Sequence, residues 1–325
     1  MSDTLRFVNT LRASRAFYLL DKDMESGLGH AYMIVSPDDD VMKEFFTLIA
    51  ARIYCLKGRA CMKCTGCKKV LNGNHEDLTY VNPTGEKIKV QEIKDLVSSV
   101  SIKPLGSVKA YFVFRADLMT PEAQNKLLKT LEEPPEGVAI FLGVANETGL
   151  LDTVRSRCRK IYIDVFDRET VFNTLKAQGV DDEKAVVASS CCEGQLGRAM
   201  QIAASPVYAE RFSDSLTLLE RLQKSRDVLA AEAVPSLANG GAEFLKVLAV
   251  ALRDVISAKR GEPLFFGAET ASRIENIAER YSLRALALAE EAVDRAQRKL
   301  SFSVNPQAVT DSLLFEILEV RHKWQ

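Results

Sequence analysis

Four cysteines fall within thirteen residues of this chain, Cys55, Cys61, Cys64 and Cys67 in the run CLKGRACMKCTGC. Two-residue gaps let thiolates converge on one point, with Gly66 easing the turn. Four sulfurs satisfy a tetrahedral zinc ion and leave no open position, so the chemistry expected here is structural rather than catalytic. Lys57, Arg59, Lys63, Lys68 and Lys69 surround the cluster and would stabilise thiolates. The competing readings are reduced thiols or adventitious disulfides, an iron–sulfur cluster (which the spacing fits less well), and His75 in place of Cys55 as fourth ligand. In NGNHEDL that histidine reads more simply as the end of a turn before a strand. Seven cysteines in 325 residues would be odd for a secreted disulfide scaffold, and a reducing compartment favours metal ligation. Cys158, Cys191 and Cys192 read as small core residues.

A second candidate is the stretch MIVSPDDDVMKEFF at 33 to 46, a buried strand, a tight turn and a helix start. A phosphate-binding loop in that frame needs glycines so that backbone N–H groups converge, a lysine for the terminal phosphates and a hydroxyl for magnesium. From Ser36 onward the chain offers Asp38, Asp39, Asp40, Val41, Met42 and Lys43, with no glycine. Carboxylates at a helix N-terminus suit the helix dipole, by roughly 0.3 to 1 kcal/mol each, but repel a triphosphate. The plain reading is a capped strand-to-helix turn; the alternative is a divergent nucleotide site with Lys43 shifted by one. Nucleotide hydrolases of this layout also end a strand in two acids, for magnesium and for water. Here the strand AYFVF puts Phe114 and Arg115 at those positions, and Asp117 stands alone beyond them. A third candidate is Arg157 in RSRCRK. Spacing alone reads Arg155, Arg157 and Arg159 as a basic turn ahead of an edge strand.

The elements that must hold these residues show as hydrophobic runs. AYMIV (31 to 35), LTYV (78 to 81), AYFVF (110 to 114), AIFLGV (139 to 144) and KIYIDV (160 to 165) are continuously apolar, as strands covered on both faces are. Between them Val90, Ile93, Leu96, Val97 and Val100 share one helix face. Thr120-Pro121 starts another helix, which ends before Pro134-Pro135. After Val165 only helices are expected: a small unit to about residue 207, with starts at Asp167 and Asp181 and a stop at Gly194. A third, all-helical domain follows from Tyr208, with Phe212, Leu216, Leu219 and Leu222 on one stripe and ANGGAEF separating the next helix. Lys plus Arg number 43 against 44 acids, a net charge of −1 that gives no global pull toward nucleic acid or membrane. The longest apolar run, VAIFLGVA, is too short to span a bilayer, and MSDTLRF does not open like a signal peptide, so a cytoplasmic location is expected.

HAYMIVSP, the cysteine cluster, LMTPEAQNKLLKTLEEPPEGVAIFLGV and LLDTVRSRC together resemble the bacterial clamp-loader subunits of DNA polymerase III, members of the AAA+ superfamily. LLKTLEEPP at 127 to 135 with SRC at 156 to 158 is highly specific, and the likeness covers roughly residues 20 to 200 well. It implies an α/β core with a P-loop-like parallel sheet (1–165) carrying an inserted zinc module (55–67). A helical lid domain (166–207) and an all-α oligomerisation collar (208–325) follow. The family holds ATP-hydrolysing gamma/tau subunits and others whose phosphate loop is degenerate. This chain departs from the ATPase pattern at the two places above, at Val144 or Ala145 where a polar sensor would stand, and in GQLGRAM, with Gly197 in place of a sensing arginine and Arg198 one position later. The resemblance therefore implies a non-catalytic subunit with structural Zn2+ and no ATP, in a hetero-oligomer with gamma/tau and delta subunits. Primer–template DNA and the sliding clamp would be met through that complex. Arg157 matches the arginine finger offered in trans to a neighbour's ATP, and Lys126 and Lys129 lie on the helix that faces DNA in the family, where a plain solvated lysine face is the simpler reading. Two rival readings are a divergent gamma/tau-like ATPase and a zinc-stabilised DNA-binding module of another replication or repair assembly.

Overall fold

Five short apolar runs become five parallel strands in the computed structural model, which describes residues 5–82, 84–224, 227, 235–262, 264, 268–300 and 305–324. The chain divides into two compact units, residues 1–166 with 195–197, and residues 167–194 with 198–325. In the first, β1 (Ala31–Val35), β2 (Leu78–Val81), β3 (Lys109–Val113), β4 (Val138–Val144) and β5 (Arg159–Tyr162) lie in the order β2-β3-β4-β1-β5. Every neighbouring pair is parallel. Central strands in such a sheet are covered on both faces, and β4 is buried along its whole length.

One face carries an aromatic row across the strands: Tyr32 on Phe141 (5.0 Å between centroids), Phe141 on Phe112 (4.6 Å) and Phe112 beside Tyr80 (5.5 Å). Two short helices precede β1, α1 (Val8–Ala13) and α2 (Arg15–Ser26), and α3 (Asp39–Ile53) packs its Phe46 ring on Phe112 at 4.9 Å. After α3 come α4 (Thr65–Leu71), α5 (Val90–Val100) and α6 (Pro121–Glu132). On the opposite face Ile93, Leu96 and Val100 of α5, with Ala123, Leu127 and Leu131 of α6, join Met33, Tyr111, Ile140 and Leu142 in one cluster. Full burial of each large apolar side chain there stabilises the unit by about 1.5–3 kcal/mol. Thr120 caps α6 by accepting from Ala123 N, and Pro121 takes the first helical position, as expected.

Strand ends differ from the hydrophobic runs. KIYIDV was expected to pair to 165, but the ladder stops at Tyr162, because its one partner, β1, ends at Val35 opposite it. In the second unit, Asp167 and Asp181 cap helices Arg168–Ala177 and Asp182–Cys191, and Glu193 and Gly194 end that run with φ of 56° and 75°. Helices Leu196–Ala204, Pro206–Arg221, Pro235–Arg260, Ala268–Glu279, Leu283–Leu300 and Pro306–Lys323 follow. Phe212, Leu216, Leu219 and Leu222 are all buried, as their stripe requires. ANGGAEF is no separator: Pro235–Arg260 runs through it as one 26-residue helix. Each glycine costs a helix about 1 kcal/mol, but the helix buries Phe244, Leu245, Val247, Leu248, Leu252 and Val255, and that packing overrides propensity. Among the described residues no helix is long and apolar enough to cross a membrane.

Candidate functional site

The carboxyl ends of β1, β3 and β4 meet side by side, where a parallel α/β sheet forms its ligand crevice, and Ser36 N donates to Val144 O at 3.0 Å. The aspartate turn sits there. Asp38 is the N-cap of α3: its Oδ1 accepts from Asp40 N (3.1 Å) and Val41 N (3.2 Å), the donors a phosphate would otherwise use. Its Oδ2 accepts from Gly197 N at 2.8 Å. Burial pushes the Asp38 carboxyl up, against the pull of the Gly197 and Val41 N–H groups. Gly197 has to be glycine in this arrangement, since a Cβ would lie 2.6 Å from Asp38 Oδ1 and 2.8 Å from Asp40 Cβ.

The other two aspartates are paired. Asp40 meets Arg6 at 3.1 Å, and Arg6 also holds Glu44 at 3.6 Å. The Glu44 carboxylate accepts from Phe7 N (2.7 Å) and Arg6 N (2.9 Å), with burial raising its pKa against those donors. Arg115, in the left-handed region at φ 53°, spans Asp117 (3.0 Å) and Asp39 (3.4 Å). Hydrogen bonding to Asp117 is the main cause that raises the guanidinium's pKa. Asp117 Oδ1 in turn accepts from Ala145 N at 3.2 Å, next to the buried Val144. Lys43 lies with its Nζ 5.0 Å from the centre of the buried Phe114 ring. The residues that the sequence places at a phosphate loop, a metal strand and a sensor are thus brought together, and the aspartates among them are taken up by backbone N–H groups and by Arg6 and Arg115. Arg198, one place past Gly197, pairs instead with Glu243 (2.7 Å) and Glu193 (3.3 Å) in the second unit.

Arg157 lies elsewhere in the first unit. It follows the short helix α7 (Asp152–Arg155) and precedes β5, whose Arg159 is level with Tyr32 near the start of β1. That puts it at the amino-terminal end of the strands, while the aspartate turn lies at the carboxyl end. Its guanidinium donates to Thr153 O at 2.7 Å and pairs with Glu132 at 2.5 Å, and its side chain stays 35% exposed. Arg155 pairs with Asp152, and Arg159 with Asp23. Lys126 and Lys129 are exposed on α6, with no ion pair among the described residues.

The four cysteines converge, their sulfurs all within 4.8 Å of one another. A tetrahedral zinc with bonds of about 2.3 Å needs sulfurs about 3.8 Å apart, and Cys55 and Cys64 stand at 3.9 Å. Left-handed backbone at Gly58, Ala60 and Met62 folds the knuckle (φ 64°, 49° and 57°). Cys61 N donates to Cys55 Sγ at 3.3 Å, Cys64 N to Cys61 Sγ at 3.4 Å, and Cys67 N to Cys64 Sγ at 3.5 Å. Burial raises the Cys55 thiol, but the N–H groups of Cys61, Arg59 and Lys57 outweigh it and lower the pKa to about 5. Burial pushes Cys67 up, and the neighbouring Cys64 and Cys55 sulfurs add to the rise. The donor set fits a closed structural metal site. His75 is not part of it: its ring stacks on Tyr54 at 3.7 Å, and its Nδ1 accepts from Asp77 N at 3.3 Å. Gly66 does not ease a turn but lies in α4, where a Cβ would be 2.0 Å from Tyr54 O. Cys158, Cys191 and Cys192 are buried, with burial raising the first two thiols to about 12.

Comparison with known proteins bears on what this arrangement is for. The family model described as "DNA polymerase III, delta subunit" matches residues 13–167. DNA polymerase III subunit delta' of Bacillus subtilis is 31% identical over 216 residues, 65% of this chain and 65% of that protein. Over these stretches the chain is similar to subunits of the DNA polymerase III clamp loader. Subunit delta' of Haemophilus influenzae is 26% identical over 179 residues (53% of this chain, 54% of that one), and subunit gamma of Buchnera aphidicola 27% over 165 residues (48% and 45%). The matches thus span less than two thirds of each of these relatives. Among solved structures, a gamma subunit-related protein of Thermotoga maritima aligns with a TM-score of 0.42 at 18% identity, covering 95% of this chain and 100% of its own.

Several residues that shape this core carry no functional pattern of their own in the sequence. Arg6 and Glu44 brace the aspartate turn, Glu132 holds Arg157, and Asp77 fixes the loop after α5 by accepting from Leu105 N (2.8 Å) and Gly106 N (2.7 Å). Glu132 lies inside LLKTLEEPP, so the motif itself was the available signal.

Proposed function

We propose that this chain is a non-catalytic, delta-prime-type stator of the DNA polymerase III clamp loader, which seats no ATP and lends Arg157 in trans to a neighbouring ATPase subunit. One observation carries this reading: Asp38 takes up the α3 amides with one oxygen and Gly197 N with the other, so the donors of a phosphate loop are already satisfied by a buried carboxylate. Phe114 and Arg115 at the metal-binding strand end argue the same way. Arg157 stands at the far end of the strands from that crevice, so it cannot serve its own subunit's site. Its surface ion pair with Glu132 is of a kind worth about 0–1 kcal/mol, which a phosphoryl group readily displaces. A planar, permanently charged guanidinium suits that task.

In this reading the cysteine knuckle holds a structural zinc ion, the sheet unit is followed by a helical lid (166–207) and a helical collar (208–325), and gamma/tau and delta subunits are the partners. Primer–template DNA and the sliding clamp are engaged through the cytoplasmic complex, with Lys126 and Lys129 contacting phosphate. A gamma/tau-like ATPase is the weaker alternative on the same geometry. The test is reconstitution with cognate gamma/tau and delta subunits. Arg157→Ala is expected to leave assembly intact and to slow hydrolysis at the adjoining site by about a thousandfold or more. Normal turnover at that site would refute the trans role. In the same complex, Lys126→Ala with Lys129→Ala is expected to flatten the salt dependence of DNA binding by about 1–2 in log–log slope; an unchanged slope would remove both lysines from the interface.

A further inference from the structure

From Phe45 to His75 the chain carries six cations, Arg52, Lys57, Arg59, Lys63, Lys68 and Lys69, and not one carboxylate. With a net charge of −1 overall and +6 here, the remainder carries −7, so the segregation is local and strong. Arg52 pairs with Asp21, and Lys69 with Glu76. Lys57, Arg59, Lys63 and Lys68 are all exposed and have no ion pair among the described residues. Because the four sulfurs converge within 4.8 Å, the loops bearing these four side chains are gathered onto one small knuckle.

Thiolate neutralisation does not account for the excess. A zinc ion with four thiolates carries two net negative charges, already served by three N–H donors to sulfur, and four free cations exceed it. The knuckle is also remote from the aspartate turn: α3, 15 residues and about 22 Å long, separates them. Tyr54, at its far end, donates its hydroxyl to Asp77 O at 2.6 Å, just ahead of β2. So the surface belongs neither to the crevice nor to α6.

We propose that the knuckle is a phosphate-backbone binding surface for nucleic acid, with Lys57, Arg59, Lys63 and Lys68 as its contacts. A protein partner is disfavoured by composition, because protein interfaces are depleted in lysine and enriched in aromatics. Three of the four free cations are lysines, and the one large apolar side chain exposed on the knuckle is Leu56. Sequence-independent contact to phosphates needs only clustered cations. The surface stands whether or not Arg157 acts in trans.

The test uses the full chain, purified with its metal, and fluorescein-labelled duplex DNA titrated by anisotropy across a range of KCl. Changing Lys57, Arg59, Lys63 and Lys68 together to alanine is expected to weaken binding tenfold or more at low salt and to reduce the log–log salt slope by about 3. The pair Arg59→Ala and Lys63→Ala should give about half that reduction, and serves if the fourfold variant loses its metal, which is read by zinc content. An unchanged slope in both variants, or no binding by the unaltered chain at low salt, overturns the proposal. So does equal affinity for a polyglutamate of matched charge with loss of that binding in Leu56→Ser, which would assign the surface to an acidic protein. Single-stranded DNA, run in parallel, tells whether the duplex form matters.

Discussion

At the scale of single residues, Asp38 does two jobs with two oxygens, and this separates it from an ordinary helix cap. Asparagine and aspartate are nearly equivalent as N-caps. Here, however, an amide would present its NH2 either to the α3 amides or to Gly197 N, leaving a buried donor unmet. Asp38→Asn is therefore expected to cost about 1–3 kcal/mol, read as a lowered urea midpoint at unchanged m. Gly197→Ala should cost a comparable amount, through the clash with Asp38 and Asp40. An Asp38→Asn protein as stable as the parent would mean that the cap and the Gly197 bond do not coexist in solution. The three aspartates were legible in the sequence as a helix start hostile to phosphate, because charge and position along the chain decide that alone. The bracing by Arg6 and the donor from Gly197 were not, since one comes from 34 and the other from 159 residues away. No local pattern encodes contacts set by tertiary closure.

At the scale of elements, legibility followed burial. Strands covered on both faces announce themselves as unbroken apolar runs, and β1 and β2 begin and end where AYMIV and LTYV do. β5 was overextended because its ladder is limited by the length of its partner, which its own sequence does not record. The two glycines of ANGGAEF misled for the opposite reason: helix packing outweighed the local penalty. The knuckle is expected to depend on a bound metal ion. Its helix α4 has seven residues, too few to persist alone, and its N-cap is Cys64, a metal-ligand candidate. Natively purified protein is expected to hold one zinc per chain. A strong chelator, or Cys64→Ser, should remove amide protection across residues 54–75 while β1, β3 and β4 stay protected by hydrogen exchange. Full protection of α4 after complete metal removal would show that packing alone holds the knuckle.

At the scale of the whole molecule, the proposed function gives the two ends of the sheet different tasks. The carboxyl end gathers Asp38, Asp39, Asp40 and Asp117 with Arg6 and Arg115 into a self-satisfied polar cluster at the junction of strand and helix. The amino end carries Arg157 on the turn between α7 and β5, where its guanidinium donates to Thr153 O and pairs with Glu132 at the surface. An element that must present a cation in fixed geometry gains from such order, because effective placement of a charged group is lost when its support moves. The prediction that follows concerns the isolated chain and Mg-ATP. Calorimetry at millimolar nucleotide is expected to give no saturable heat, because Asp38 occupies the α3 amides and Phe114 and Arg115 offer no metal ligand. Saturable binding to the unaltered chain would mean that the aspartate cluster opens for phosphate, and the division of labour between the two ends of the sheet would fall with it.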